Sequence, residues 1–477
     1  MESSTRTVAA ATTDVEALLA KELQQLSFEA RNKIQEEVHG VLSMAPTETP
    51  EMIQKSLNQL EQAVSQLPVD VKPAYTKALA MDSPYVHAKE FRLRFLRAEL
   101  FDAATAAVRF AKHLNLLDKY FGTEALVRPL RWDDLGKREQ EILRVGQTQV
   151  LPARDRAGRL VAVHIGSMGD NNTPGATRLR ILLYMYSVIA EDVDTQRRGL
   201  VAIFVADKQH FERYNGGSVD YQKDLSELMK TMPVRWSAMH TLLPEGPLFK
   251  LLQALLVVIL IRKNERVRMK FYTGCLSNIE TQYKLMGYGI HIQELPVTHS
   301  GTIKNKNHLQ WIKIRKIVGK ERDKLLRHNH HQQQQQRGDD FPWIEHPRVN
   351  DVLFRRGGNS NHFGNLEFQQ IMFSKLQSYN STNSHMDKRQ IREKIIRLVQ
   401  DNGGRFLEFK KEYGGWMEIT SMSDIHNKVI PAINDLNRTV AARENHQRSE
   451  SDTRNFLGGS KRRKLDDSCE CKWQRSP

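Results

Sequence analysis

Basic and glycine residues near the C-terminal end form the sequence pattern with the most direct chemical use. Arg356-Gly357-Gly358 is followed by asparagines and further glycines, which predicts tight turns with many free backbone N–H groups. Such a loop can hold a phosphate, but it lacks the residue order of a P-loop, and Gly-Asn loops are more often simple turns. The predicted basic helix over residues 388–399 could follow nucleic-acid phosphates, although a solvated basic face needs no partner. The candidate anion-binding or nucleic-acid-binding residues are Arg356, Gly357, Gly358, Lys388, Arg389, Arg392, Lys394 and Arg397.

An apolar run from Leu248 to Ile261 indicates a different kind of binding chemistry. Its only charged residue is Lys250 and its only other polar residue is Gln253, so a helix built from it is apolar on all sides. Spanning a bilayer takes roughly 20 apolar residues. Basic residues begin at Arg262, so we predict no transmembrane segment. A buried helix and, because residues 257–261 are rich in β-branched side chains, a buried strand are the ordinary interpretations. The more specific interpretation is a helix that covers an apolar cavity.

Sequence signatures of catalysis and of metal binding are missing. The chain contains no nucleophile elbow, P-loop, H-E-x-x-H or paired-carboxylate motif. Asp155, Asp207 and His164 are better explained by turns and strand edges. The clustered histidines of residues 328–331 lie beside a glutamine run, whereas tetrahedral metal sites usually draw their ligands from ordered positions. We therefore predict that the protein is not an enzyme, and we predict no cofactor and no metal site.

Composition limits the compartment and the charge of the partners. The length of 477 residues, 40% of them hydrophobic, predicts about two to four domains. The net charge of +15 predicts an anionic partner, which is nucleic acid, an acidic protein or an anionic lipid surface. Three cysteines are too few for a disulfide framework, and the N-terminus lacks a secretion signal, so we expect a cytoplasmic protein, a nuclear protein or both. The block Lys461, Arg462, Arg463 and Lys464 is either a nuclear address or simply part of a charged tail.

Helical and β-strand patterns alternate through the first two thirds of the chain. Apolar spacing predicts a helical hairpin over residues 85–117, with Asp102 as the N-cap of its second helix. A polar turn at residues 155–158 then predicts a hairpin that leads into a strand over Leu160 to Ile165. The continuous apolar run from Gly199 to Ala206 is typical of a buried parallel strand. Strand and helix signals continue to Thr273, and this order predicts an α/β fold.

The hairpin and the turn carry a family resemblance. The R-F-L-R-A, F-D, alanine-rich helix and H-L of the hairpin, followed by the D-x-x-G-R turn at Asp155, resemble the CRAL-TRIO lipid-binding domain. The order of elements agrees from Tyr85 to Gly301, where Leu295-Pro296 and Ser300-Gly301 resemble the end of that domain, with one of its two closing glycines. The resemblance implies an apolar gate helix over a lipid cavity, in the place of residues 247–261.

A lipid cavity needs apolar walls, because burying an acyl chain gains roughly 0.8 kcal/mol per CH₂ if no polar group is left unpaired. Basic residues from Arg262 to Arg266 would place the end of the gate near anionic head groups and predict transient contact with a membrane surface. The sequence therefore predicts binding or transfer of a lipid or other small hydrophobic ligand. The candidate cavity residues are Val161, Val163, Val201, Ile203, Val205, Leu248, Leu252, Leu255, Leu256, Ile259 and Phe271.

The C-terminal part resembles a second family, a diatom-type domain of unknown function. The matching segments are Asn350 to Leu353, Arg356 to Gly358, Asn361 to Asn365, Gly404 to Leu407 and Trp416, and Arg355 stands where that family usually has glycine. Glycine pairs ahead of apolar segments predict a strand hairpin over residues 403–407 and 414–419. The resemblance brings no activity, so the alternative function is a nucleic-acid-binding nuclear regulator that uses this domain.

The predicted fold class is α/β: a helical N-terminal segment plus a CRAL-TRIO-like α/β lipid-binding domain, followed by a small α+β domain. The predicted divisions are a helical region (14–135), the lipid-binding domain (136–318), a low-complexity linker (319–345), the basic α+β domain (346–445) and a disordered basic tail (446–477).

Overall fold

A computed structural model of the protein shows two mixed β-sheets surrounded by helices. It describes residues 17–166, 168, 172–206, 219–246, 249, 262–329, 343–355 and 362–457.

Helices fill the chain before the first sheet. They are α1 (17–24), α2 (Phe28–Val38), α3 (Pro50–Gln66), α4 (Pro73–Ala80), α5 (Pro84–His87), α6 (Lys89–Ala98), α7 (Ala103–Phe121), α8 (Glu124–Val127) and α9 (Lys137–Val145), with a 3₁₀ turn at Trp132–Asp134. The predicted hairpin is confirmed as α6 and α7. Asp102 caps α7 as predicted, because its carboxylate accepts a hydrogen bond from the Thr105 N–H at 2.8 Å. Phe91 and Phe95 pack edge-on against Phe110, with ring centroids 5.9 and 5.2 Å apart.

The central sheet has its five strands in sequence order. They are β1 (Thr148–Val150), β2 (Leu160–Ile165), β3 (Leu200–Val205), β4 (Trp236–Leu243) and β5 (Met269–Thr273). β1 pairs antiparallel with β2, which confirms the predicted hairpin, and β2 to β5 are parallel. Helices between and after these strands are α10 (Gly175–Ile189), α11 (Val193–Arg198), α12 (Val219–Thr231), α13 (Lys263–Arg266) and α14 (Ile279–Gly287). Parallel strands with helical connections confirm the predicted α/β alternation.

The two faces of the central sheet are covered by different helices. One face packs against α7, α10 and α12, and we call it the α10 face. The other packs against α2 and α14, and we call it the α2 face. Along β2, Leu160 and Ala162 belong to the first core, and Val161 and Val163 belong to the second. Strands buried on both faces are apolar throughout, because successive side chains point to opposite sides of the sheet.

The C-terminal domain is a smaller α+β unit. Its strands are β6 (Trp343–Ile344), β7 (Val352–Phe354), β8 (Phe406–Lys410) and β9 (Gly415–Glu418), in the order β6-β9-β8-β7. β8 and β9 form the predicted antiparallel hairpin, whereas β7 is parallel to β8. Helices α16 (Phe363–Ser381), α17 (His385–Asp401) and α18 (Met422–Leu457) enclose one core with this sheet.

Three predicted boundaries differ from the structure. Helix α15 (Lys306–Asn329) continues past residue 318, where the sequence predicts the start of a linker, and β6 lies inside the end of that predicted linker. Val318 is buried, and Arg322 donates to Glu191 at 2.8 Å, so tertiary contacts hold this polar segment as a helix. Helix α18 likewise extends to Leu457, into the predicted disordered tail of residues 446–477.

Candidate functional site

The sheet separates the predicted cavity residues into two groups. Val161, Val163, Val201, Ile203 and Val205 are buried on the α2 face, in a core that includes Ile34, Val38 and Leu285. Phe271 is half-buried at the border of the core on the α10 face. One cavity therefore cannot contain all six side chains. The remaining candidates, Leu248, Leu252, Leu255, Leu256 and Ile259, lie outside the described residues.

A row of side chains crosses all five strands on the α10 face, and we call it the cross-strand row. The strand register places its members side by side on successive strands: Thr148, His164, Phe204, Thr241 and Phe271. The rings of His164 and Phe204 are stacked with centroids 5.0 Å apart. The row lies in the carboxyl-terminal halves of the parallel strands from β2 to β4, which is where open α/β sheets usually bind ligands.

Hydrogen bonding in the cross-strand row is incomplete at one atom. His164 Nε2 lies 2.7 Å from the hydroxyl of Tyr186 on α10, and its Nδ1 lies 3.4 Å from the Thr148 hydroxyl. Thr241 Oγ1 is buried, and no partner for it is found among the described residues. A buried hydroxyl without a partner is costly, so Thr241 has the capacity for a further hydrogen bond.

Burial keeps the titratable groups of the row uncharged. It lowers the pKa of His164 to about 4 and raises that of Tyr186. His164 is therefore neutral near pH 7, and its bond to Tyr186 is a bond between neutral groups. Among the described residues, the members of the row therefore carry no charge near pH 7.

Apolar side chains around the row are only partly covered. Phe204, Phe271, Tyr221 and Leu225 are half-buried, although they pack against the core of the α10 face. The structure does not describe residues 207–218, which follow β3. It also does not describe residues 247–261, which follow β4, apart from Phe249. The described part of the row is therefore bordered by apolar side chains that are not fully buried.

A buried ionic cluster holds the chain immediately after the apolar run. Arg262 donates to Glu99 at 2.7 Å and to Glu265 at 2.8 Å, and Arg109 pairs with the same two carboxylates at 2.5 and 3.3 Å. Burial raises the pKa of both Glu99 and Glu265, and Arg262 opposes that increase. Arg262 is thereby fixed to the α6–α7 hairpin.

The predicted basic helix presents a smaller charged surface than its sequence suggests. Arg392 is buried and donates to the Tyr379 hydroxyl at 3.2 Å, so it is unavailable to a phosphate. Arg389 pairs with Glu393 at 3.2 Å, and the half-buried Lys388 lies over the Tyr379 ring. This leaves Lys394 and Arg397, which are exposed three residues apart on one side of α17.

Most of the C-terminal sequence pattern serves the fold. Asp351 is fully buried and accepts hydrogen bonds from the Arg405 side chain and backbone. Asn365 bonds both the N–H and the carbonyl of Leu353, at 2.7 and 3.0 Å. A Cβ at Gly364 would lie 2.3 Å from the Asp351 carbonyl oxygen, and one at Gly404 would meet the Asn350 carbonyl oxygen at 2.4 Å. These residues join β7, α16 and β8, so a structural role is sufficient to explain their types.

Two groups of predicted site residues lie outside the ranges that the structure describes. Arg356, Gly357 and Gly358 fall in the gap after Arg355, and the basic block from Lys461 to Lys464 follows the last described residue. Within the described ranges, no group of three or more His, Cys, Asp or Glu side chains could hold a metal. No helix in the same ranges is long and apolar enough to cross a membrane.

Sequence reasoning did not single out Thr241 and explained His164 by a strand edge, whereas the structure places both in interior strands of the central sheet. The available signal was the presence of polar residues inside strands that are otherwise apolar on both faces. Asp155, in contrast, has the turn role that the sequence indicates: its carboxylate accepts from the Arg159 N–H at 2.8 Å and pairs with the Arg159 side chain.

Comparison with known proteins identifies one part of the chain. No curated protein matches this chain. Residues 351–435 match a family described as a domain of unknown function, DUF6824. That range contains β7, β8, β9, α16 and α17, together with the beginning of α18. The C-terminal part of this protein therefore carries a DUF6824 domain.

Proposed function

We propose that the protein binds a lipid or other small hydrophobic ligand on the α10 face of the central sheet, as a non-enzymatic carrier resembling CRAL-TRIO proteins. The observation that carries the proposal is the cross-strand row. There, half-buried Phe204 and Phe271 flank the Thr241 hydroxyl, which has no partner among the described residues. The gate role of the run from Leu248 to Ile261 belongs to the same proposal.

The chemistry of the row specifies the ligand further. The apolar part of the ligand would contact the phenylalanines, since each buried CH₂ contributes roughly 0.8 kcal/mol. A hydroxyl or carbonyl group of the ligand would pair with Thr241. His164 stays neutral because burial lowers its pKa to about 4, so the row favours an uncharged polar group over a carboxylate.

Anchoring of the gate supports a carrier role. The cluster of Arg262, Glu99 and Glu265 fixes one end of the apolar run, so that opening would require movement of the run and not of the sheet. A carrier must also meet the membrane that supplies its lipid. Arg262 and Arg266 are already paired with glutamates, so attraction to anionic head groups falls to other basic residues. We extend the proposal to transient membrane contact in the cytoplasm or nucleus.

The test measures lipid carried by the purified full-length protein. Native mass spectrometry and organic extraction should show a co-purified or exchangeable lipid. Phe271→Glu should lower loading at least roughly tenfold, because a charge in an apolar wall costs several kcal/mol. Thr241→Val should weaken ligands with a hydroxyl or carbonyl by roughly three- to tenfold and leave plain hydrocarbons unaffected.

The matched control is Ile279→Glu, which adds the same charge at an exposed apolar residue of α14, on the side of the α2 face. It should load normally. Absence of any lipid from the wild-type protein, or equal loading of Phe271→Glu and wild type, would contradict the proposal.

We propose nucleic-acid binding by the C-terminal domain as the second candidate. Its support is the pair Lys394 and Arg397, exposed on one side of α17 with no ion pair among the described residues. Duplex DNA binding should weaken with salt, and the double variant Lys394→Gln with Arg397→Gln should reduce the salt slope by about two. Salt-insensitive or absent binding would remove this candidate.

A further inference from the structure

A cleft of about 540 Å³ lies between the central domain and the C-terminal domain. Its wall includes α15 and the segment before β2 on one side, and β7, β9 and the start of α16 on the other. This volume lies within the range of sites that bind small molecules. The cleft is separate from the cross-strand row, because no member of the row lines it.

One wall of the cleft is apolar and accessible. Phe363 and Leu366, three residues apart at the start of α16, are 52% and 44% exposed. Behind them, Trp311 and Trp416 contribute largely buried rings to the same lining. Aromatic and aliphatic side chains inside a concave surface favour a ligand with an apolar or aromatic body.

Two histidines of the lining have unused hydrogen-bonding capacity. Nδ1 of His346 and Nδ1 of His362 are buried, and neither has a partner in the part of the chain that the structure describes. Burial lowers the pKa of His346 to about 4 and also lowers that of His362, so both rings are neutral near pH 7. Buried polar atoms without a partner call for an explanation, and a polar ligand supplies one.

Positive charge is available at Arg355. Its guanidinium lies over the Phe409 ring, 4.3 Å from the centroid, which orients the side chain while leaving it exposed. The acid Glu345 is already engaged, because it accepts from Trp311 at 3.0 Å and from Arg315 at 2.7 Å. Arg154 and Glu294 also line the cleft, and Arg154 is already paired with Asp192 at 2.9 Å. Arg355 is therefore the cation of the described lining that is left for a ligand, and it suits a single negative charge.

We propose that this cleft is a second binding site, which takes a small amphipathic organic monoanion. The apolar body lies against Phe363 and Leu366, the acidic group pairs with Arg355, and a histidine Nδ1 donates or accepts a hydrogen bond. The site is independent of the proposed lipid site and draws residues from both domains.

The experiment compares two probes on the full-length protein by titration calorimetry. The first is 1-naphthalenesulfonate and the second is its neutral analogue 1-naphthalenemethanol. The sulfonate should bind saturably at one site and more tightly than the alcohol. Arg355→Gln should weaken the sulfonate by roughly tenfold and leave the alcohol unchanged. Leu366→Gln should weaken both probes.

Both substitutions fall at exposed positions, so the fold is expected to tolerate them. Lys394→Gln removes an exposed cation of α17 outside the cleft and should leave both affinities unchanged. Phe271→Glu, which targets the lipid site, should also leave them unchanged, so failure of one proposal is distinguishable from failure of the other. Absence of saturable sulfonate binding, or binding that neither Arg355→Gln nor Leu366→Gln alters, would overturn the cleft proposal.

Discussion

Replacing Glu37 by alanine should release helix α2 from the sheet. The Glu37 side chain is fully buried, and its Oε2 accepts from Arg235 at 2.6 Å and from Arg268 at 3.0 Å. Its Oε1 accepts from the Met44 N–H at 3.0 Å. The alanine variant leaves two buried guanidinium groups without this carboxylate. Removing one partner of a buried ion pair typically costs about 3–5 kcal/mol.

Hydrogen exchange measures this loss locally. If α2 opens as a unit, a cost of this size should speed exchange of its amides by roughly 100- to 1000-fold or more. Amides of α17, in the C-terminal core, should keep their wild-type rates and serve as an internal reference.

The matched control is Glu29→Ala, in the same helix. Glu29 forms an exposed pair with Lys33 at 2.6 Å, and solvent screens such surface pairs so strongly that they contribute little to stability. A Glu37→Ala variant whose α2 exchange increases no more than that of Glu29→Ala would refute the claim that the buried carboxylate holds the helix in place.

Three further predictions concern pH, a close backbone contact and the proposed gate. Burial opposes ionisation of Glu191, but Arg315 and Arg322 prevail and lower its pKa from 4.5 to about 2. Its contribution to stability, on the order of 2–3 kcal/mol, is therefore complete above pH 4.5 and lost as the pH falls towards 2. The urea midpoints of wild type and Glu191→Gln should therefore converge in acid. A difference between the two midpoints that stays the same at every pH would contradict this. Gly364→Ala should destabilise the C-terminal domain by roughly 1–3 kcal/mol in urea unfolding, because the new Cβ would lie 2.3 Å from a carbonyl oxygen. The control Gly319→Ala should cause no such destabilisation, because there is open space around Gly319. Leu255→Glu should abolish lipid loading while leaving exchange in the C-terminal domain unchanged, and normal loading would show that this residue does not face the ligand.

Local signals in the sequence predicted many of the elements. The α6–α7 hairpin and its cap at Asp102 follow from apolar spacing and a capping residue, both of which act within a few residues. The strand over Leu160–Ile165 and the β8–β9 hairpin were predicted for the same reason, since a polar or glycine-rich turn separates apolar segments.

Orientation across the sheet could not be predicted in this way. Val161 and Val163 face α2, but a strand that is apolar on both sides carries no period-two signal to show it. The cross-strand row depends on the register between five strands, and Thr241 becomes conspicuous only when its neighbours are known. The continuation of α15 also depends on a distant partner, because Arg322 finds Glu191 only in the folded chain.

Helix α15 determines how the protein can be divided. Trp311 and Ile312 belong to the core of the helical region and the α10 face, while Gln310 donates to the Gly414 carbonyl and Ile314 lies against Gly415 in the C-terminal sheet. A single helix thus supplies side chains to both neighbours. A transplantable C-terminal module should therefore begin before Lys306, because a shorter piece would lose the surface on which β9 rests. Recombination or gene fission that separates the central and C-terminal domains is therefore best tolerated when α15 remains with the C-terminal sheet.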